Sequence, residues 1–354
     1  MKELDFMLQV SICLEKPTRR IVIMIFQRSE DINSEYVFLK IDGFINGNSV
    51  YVKMENMNLG GSIKLKTARA LIDAAEKKTD LKNSKHVIES SSGNLGIALS
   101  IICASRNYKF TCVVDKNTLP HTIKVMKAYG AEVVVIGKPD PEKGYLGERL
   151  NYIRQRLEGS SDLVWTNQYE SIENRDAHAE LTARELLSDF PVIDYLFIAA
   201  GTTGTLMGCV KTIAKESPAT KIIAVDAKGS VIFGTLAAPR HIPGLGASVP
   251  PPLFDSKDVF DQVQVSEMDT VQTCRDIAQR FGFLAGGSTG TVLSAIKQYS
   301  HHIPAGSIVV MISPDGGERY IDTIYSDEWC RQRNLLNQNE TPHYNYPSET
   351  ANNE

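Results

Sequence analysis

From position 64 onward the chain alternates between short apolar runs and longer stretches in which apolar residues recur every three or four positions. That alternation predicts strands joined by helices. The apolar runs at 86–89, 110–114, 133–136, 163–165, 195–199, 222–225, 263–265 and 307–312 read as strands. Helices are expected between them. The first starts at 64, with Ala68, Leu71, Ile72 and Ala75 on one face; others cover 95–104, 122–129 (closing at Gly130), 145–157, 177–187, 205–214, 268–281 and 287–299. Strands that are apolar throughout are covered on both faces, which is the habit of a parallel sheet flanked by helices. Roughly eight or nine such strands exceed one compact sheet, so an α/β fold of two doubly wound parallel-sheet lobes is expected. Upstream, 37–41 and 50–54 read as two short strands around the turn Asn46-Gly47-Asn48, and 21–26 as a buried strand. The stretch 229–249 carries glycines and prolines without periodicity and reads as a long loop. The end, 333–354, is rich in Asn, Glu, Pro, Ser and Thr and is expected to be disordered.

Composition narrows the function classes. A charged content of 23% and a net charge of −4, with no basic block, argue against nucleic acid as a partner. The six cysteines (Cys13, Cys103, Cys112, Cys209, Cys274, Cys330) are scattered with no CxxC pair, as expected of buried free thiols in a reducing compartment. His301 and His302 are the one close histidine pair, and neighbours in sequence do not face one way on a helix, so no metal site is expected. No run reaches the ~18 apolar residues of a membrane span. The opening Met1-Lys2-Glu3-Leu4-Asp5 is acidic as well as basic, unlike a signal peptide. A cytoplasmic protein acting on small molecules is the expectation.

Four loops carry candidate chemistry. Asn58-Leu59-Gly60-Gly61-Ser62-Ile63-Lys64 runs straight into a helix, with Ser62 able to cap it. A lysine at a helix start faces the positive end of the macrodipole. Dipole and desolvation together would lower its pKa and free its amine to form a Schiff base. Gly201-Thr202-Thr203-Gly204-Thr205 joins a strand to a helix and offers backbone N–H groups and hydroxyls to a phosphate, though it has neither a P-loop lysine nor GxGxxG spacing. Ser91-Ser92-Gly93-Asn94-Leu95-Gly96 also opens a helix after a strand, and its hydroxyls and amide suit a carboxylate. Gly287-Ser288-Thr289-Gly290 places a further hydroxyl at a helix start. Each loop alone reads equally well as a capped turn or a surface feature. In an open α/β sheet, however, ligands gather at the carboxyl ends of the strands. A lysine, an amide-bearing helix start, a neutral phosphate cradle and a hydroxyl, in this order, describe a site for pyridoxal 5′-phosphate.

On these motifs, over roughly 48–327, the chain resembles the fold-type II pyridoxal phosphate enzymes of the cysteine synthase and cystathionine β-synthase group, whose fold is that of the tryptophan synthase β subunit. The resemblance implies that Lys64 carries the cofactor, Asn94 holds its ring hydroxyl, Gly201, Thr202, Thr203, Gly204 and Thr205 hold its phosphate, and Ser288 faces its pyridine nitrogen. Gln168, with Ser91, Ser92 and Gly93, would bind the substrate carboxylate. It also implies a small mobile lobe over 58–165, a large cofactor lobe over 36–57 and 166–332, an unassigned extension over 1–35, and a homodimer. A serine beside the pyridine nitrogen does not force its protonation. The ring is then a weaker electron sink, which suits β-elimination, with Lys64 as the base for the Cα proton.

Within the group, 91–96, 225–234, 243–248 and 325–329 resemble the siderophore-pathway enzymes that make N-(2-amino-2-carboxyethyl)-L-glutamate. The implied reaction is loss of phosphate from O-phospho-L-serine to give an aminoacrylate, followed by addition of the α-amine of L-glutamate, on the way to L-2,3-diaminopropionate. Arg149 matches the arginine for the substrate phosphate, and Tyr169 a wall of the pocket. Three features depart from the family. Leu65 stands where it has aspartate, Gly201 where the siderophore enzymes have serine, and Ser34-Glu35-Tyr36-Val37 where it has a first strand. The alternatives are an O-acetylserine sulfhydrylase, from which a need for Arg149 would distinguish this chain, and a catalytically silent binding protein, which would show no visible cofactor band.

Overall fold

The computed structural model describes residues 26–32, 34–78, 81, 86–141, 143–160 and 162–336, and two short strands upstream, β1 (Val10–Ser11) and β2 (Val22–Ile23). β1 and β2 pair antiparallel as a separate ribbon, so the strand expected over 21–26 is seen at Val22–Ile23. Most of the unassigned extension over 1–35, Cys13 included, and the tail from 337 onward lie outside the described residues.

The hairpin appears as β3 (Phe38–Ile45) and β4 (Asn48–Met54), turning at Gly47 with φ +76°. The alternation that follows is α1 (Lys64–Lys78), β5 (His86–Ser90), α2 (Asn94–Ser105), β6 (Lys109–Asp115), α3 (Pro120–Ala128), β7 (Glu132–Ile136), α4 (Gly144–Glu158) and β8 (Leu163–Trp165). Then come α5 (Ile172–Ala177), α6 (Ala183–Asp189), β9 (Tyr195–Ala199), α7 (Gly204–Glu216), β10 (Lys221–Ala227), β11 (Asp261–Val265), α8 (Glu267–Phe281), α9 (Gly287–Tyr299), β12 (Val309–Ser313) and α10 (Asp327–Arg331).

Two sheets result. One has six strands in the order β11-β10-β9-β12-β4-β3, the other four in the order β7-β6-β5-β8. Every neighbouring pair is parallel except the β3–β4 hairpin at the edge of the larger sheet. Period-two alternation splits each apolar strand between two cores. In β9, Phe197 packs with Val225, Ile277 and Leu293 on one face, while Leu196 and Ile198 pack with Leu206, Val210 and Ile213 on the other. In β5, Val87 joins Leu71, Leu99 and Ile102, while Ile88 joins Val113 and Ile153. Burial on both faces is why β9 and the middle of β5 carry no polar alternates.

Each sheet has one point where successive connections diverge. In the large sheet it lies between β9 and β12; in the small sheet, between β5 and β8. Such switch points open a crevice beyond the carboxyl ends of the strands.

The helix expected over 177–187 is longer and irregular. It begins at Ile172 and passes through a π-turn, His178–Thr182, before α6. A stretch with apolar residues on several sides hides such an extra residue per turn from a 3.6-residue pattern. The helix α10 was not expected; its N-terminal cap is Ser326, whose hydroxyl accepts from Trp329 N. Leu65, in place of the family's aspartate, packs into the core shared by α1 and α2. The described cysteines, Cys103, Cys112, Cys209, Cys274 and Cys330, are free and buried. No helix among the described residues is long and apolar enough to cross a membrane.

Candidate active site

The turn before α1 uses two left-handed glycines, Gly60 at φ +82° and Gly61 at φ +70°. It is pinned to the end of β12: Ile63 N donates to Pro314 O at 2.8 Å, and Ser62, expected as a helix cap, forms an antiparallel bridge with Asp315. Lys64 thereby enters a pocket at the switch point of the large sheet. The pocket measures about 570 Å³ including its open mouth, and Lys64, Asn94, Gly201, Thr202, Thr203, Thr205, Gly244 and Ser288 line it together with Ile198 and Ile312. Burial pushes the Lys64 amine down to about 8, so it reaches its neutral, nucleophilic form at a lower pH than an exposed lysine.

The loop after β9 is built as an anion cradle. Thr203 adopts φ +63° directly before Gly204 opens α7. A β-branched residue there is strained, at a cost of order 1–3 kcal/mol. Thr203 is buried, and its Oγ1 has no hydrogen-bond partner among the described residues. A phosphate at this helix start would satisfy both that hydroxyl and the first amides of α7. Gly204 is fixed by space as well: a Cβ there would lie 2.4 Å from Asn174 Oδ1. Gly201 has its own explanation, since a Cβ would sit 3.3 Å from the Gly244 carbonyl oxygen, where the 229–249 loop folds over the cradle. Gly246 N, donating to Ala200 O at 2.8 Å, holds that loop down.

Two residues that sequence reasoning missed support the cradle. Asn174 Nδ2 donates to Thr202 Oγ1 at 3.2 Å and to Gln168 O at 3.1 Å, tying the phosphate loop to the segment after β8. His178, on the π-turn, has Nε2 within 3.0 Å of Thr67 Oγ1 and 3.3 Å of Thr205 Oγ1, and Nδ1 within 3.0 Å of Thr182 Oγ1. Burial, then the charges of Lys64 and Lys66, push its pKa well below the usual value, so it is a neutral hydrogen-bonding post. Both sit among polar residues of a helix, where sequence gives no sign that they face inward.

The other expected site residues gather at the switch point of the small sheet. Ser91, Ser92 and Gly93 form the loop from β5 to Asn94, with Ser91 Oγ accepting from Gly96 N at 3.0 Å while Ser92 is exposed. Glu89, at the end of β5, accepts from Ser90 N, Trp165 Nε1, Thr166 Oγ1 and Gln168 N. Burial raises its carboxyl and these donors oppose the rise. Gln168 is buried, with Oε1 unpartnered among the described residues. Arg149 is 7% exposed, with Nε and Nη1 lacking hydrogen bonds among the described residues and Asp115 Oδ2 at 3.6 Å as an ion-pair partner. Tyr169 lies close to it: burial raises the phenol and the Arg149 charge opposes the rise. Arg149, Gln168 and Tyr169 do not line the pocket around Lys64.

Pyridoxal phosphate fits this arrangement. A desolvated lysine, an unpartnered buried hydroxyl at a helix start and a neutral hydroxyl at Ser288 are what its aldehyde, phosphate and ring nitrogen require. Residues 37–315 match the family of pyridoxal-phosphate dependent enzymes, and the chain belongs to that family. Among solved structures it is similar to an O-ureido-L-serine synthase (29% identity over 86% of this chain and 98% of that one, TM-score 0.79). It is also similar to a hydrogen sulfide-producing enzyme from Fusobacterium nucleatum (29% identity, 84% of this chain and 100% of that one, TM-score 0.78). A third is an O-acetylserine dependent cystathionine β-synthase from Helicobacter pylori (26% identity, 86% and 100%, TM-score 0.79). The chain is therefore a pyridoxal-phosphate dependent enzyme with the two-sheet fold of the cysteine synthase-like group.

Proposed function

We propose that this enzyme catalyses β-replacement on O-phospho-L-serine, with the α-amine of L-glutamate as nucleophile, giving N-(2-amino-2-carboxyethyl)-L-glutamate and phosphate for a 2,3-diaminopropionate pathway. The similar structures carry names of enzymes that use or make serine derivatives substituted at the side-chain oxygen, which supports replacement at Cβ. Bound pyridoxal phosphate supplies an electron sink that acidifies Cα and eases departure of the β-substituent. The chain supplies the rest. Thr202, Thr203, Thr205 and the α7 amides would hold the cofactor phosphate, Asn94 its ring oxygen and Ser288 its ring nitrogen. Lys64, neutral above about 8, is placed to attach the cofactor and to take the Cα proton. Gln168 can offer its amide N–H to a substrate carboxylate and its unpartnered Oε1 to an amine. The same reading takes the enzyme as a cytoplasmic homodimer.

The observation that carries the choice of phosphoserine is Arg149. A buried guanidinium with two nitrogens unbonded and its carboxylate partner at 3.6 Å calls for a further anion. O-acetylserine is the second reading, favoured by the fact that Asp115 already offsets part of that charge. Arg149→Ala separates the two. It is expected to lower kcat/KM for phosphoserine by roughly 10²-fold or more, the scale of a lost charge-assisted contact, and to leave O-acetylserine within about threefold, as steady-state kinetics on both donors will record. Equal losses on both substrates would remove phosphate recognition from Arg149.

A further inference from the structure

The segment that follows β12 reaches both halves of the site. Arg319 Nη1 donates to Asn94 Oδ1, and Arg319 Nη2 donates to Gly60 O at 3.1 Å. Asn94 Nδ2 donates to Asp315 Oδ2 at 2.8 Å, and the same carboxylate oxygen accepts from Tyr320 Oη at 2.5 Å. One guanidinium thus bridges the glycine turn that presents Lys64 and the amide that opens α2. A Cβ at Gly61 would lie 2.9 Å from Arg319 Nη2 and would push the guanidinium out of this bridge.

We propose that Arg319 is a positioning residue, which with Asp315 fixes the orientation of the Asn94 amide toward the cofactor and locks that amide to the turn carrying Lys64. A guanidinium has donors only and a carboxylate acceptors only. An amide held between them has one acceptable orientation, because its flip would set N–H against guanidinium and carbonyl against carboxylate. The amide nitrogen carries two N–H groups, of which Asp315 takes one. Asn94 lines the pocket, and the second N–H is the one it offers to an anionic ring oxygen. Without Arg319 the amide can turn its carbonyl oxygen to that ring oxygen, and acceptor would face acceptor. The bridge also keeps the two ends of the cofactor's polar edge, at Lys64 and Asn94, at one spacing.

The inference rests on placing pyridoxal phosphate in this pocket, and a double-mutant cycle tests it apart from that placement. Apo-protein is titrated with pyridoxal phosphate, followed by intrinsic fluorescence, for wild type, Arg319→Met, Asn94→Ala and the double variant, with thermal unfolding of each apo form as the control for folding. Arg319→Met is expected to weaken cofactor affinity about tenfold, the size of one lost hydrogen bond, with the apo unfolding temperature unchanged. In the Asn94→Ala background the same change should matter less than twofold. An unaltered affinity for Arg319→Met, or an equal loss in both backgrounds, overturns the positioning role. If Arg319→Met does not fold, Arg319→Lys, which keeps the charge but cannot reach both Asn94 and Gly60 in the forked geometry, takes its place in the cycle with the same criteria. If wild type itself fails to bind the cofactor, the placement and the inference fall together; if it binds and the cycle is additive, the inference alone falls.

Discussion

Lys64→Ala is expected to lower β-replacement turnover by at least about 10²–10⁴-fold, the range for removal of a positioned proton-transfer group, and to abolish the visible band of bound cofactor near ~410 nm, which depends on covalent attachment. The expected loss is large because the proposed reading gives one amine two tasks, attachment and proton removal. Its environment fits both. Burial in the pocket pushes it down to about 8, against ~10.4 for a free lysine. Below that value it is protonated and inert as a nucleophile; above it, neutral and reactive. Acylation of Lys64 in the apo-protein should therefore rise with pH through a midpoint near 8, as peptide mass analysis after brief labelling will show, while exposed lysines follow at higher pH. A Lys64→Ala protein that keeps the band and the turnover would place the attachment elsewhere.

The second large effect is on stability, two residues along the same helix. Lys66 Nζ lies 2.8 Å from Glu55 Oε1 and 2.6 Å from Glu185 Oε2, and Lys53 Nζ lies 2.8 Å from the same Glu185 oxygen. All four side chains are buried, and Asn58 Nδ2 adds a bond to Glu55 Oε2 at 2.6 Å. The cluster joins β4, α1 and α6 beneath the turn that presents Lys64. Lys66→Met leaves two buried carboxylates facing one cation and is expected to cost about 3–5 kcal/mol in urea unfolding. Removing a charge of each sign, in Lys66→Met/Glu185→Met, restores balance and should cost less than the single change. Burial alone would lower the Lys66 amine, but Glu55 and Glu185 more than reverse this and leave it raised. Its stabilisation is thus fully present below the unfolded value of ~10.4 and fades only as the pH climbs through the raised one. A single variant within about 1 kcal/mol of wild type, the level of an exposed ion pair, would mean the cluster is not held as described.

The sequence revealed most where one physical rule dominated. β9 and β12 are apolar on both faces because helices cover both, and that pattern is readable without coordinates. The Thr203 loop and the Gly60-Gly61 turn were legible because tight backbone needs glycine and a helix start needs donors. Lys53 was not legible: in the alternation of β4 it reads as a solvent-facing residue, yet it is fully buried and paired with Glu185, 132 positions away by number, through tertiary packing alone. Asn174 and His178 were hidden for the same reason, as polar positions on a helix whose buried side carries polar work. Arg319 and Asp315 follow the last strand in a Gly-rich turn, Asp315-Gly316-Gly317. That position, at the carboxyl end of β12 beside the switch point, was the available signal. Charge alone reads as surface until both halves of the site are seen to meet there.

The most direct test of the proposed reaction is to load the purified enzyme with pyridoxal phosphate, supply O-phospho-L-serine together with L-glutamate, sulfide or other amino acids in separate reactions, and identify the products by mass. Release of phosphate and formation of N-(2-amino-2-carboxyethyl)-L-glutamate, with glutamate alone as efficient acceptor, are expected. Phosphoserine left intact with every acceptor, while O-acetylserine and sulfide supplied in a parallel reaction yield cysteine, would contradict the proposed reaction.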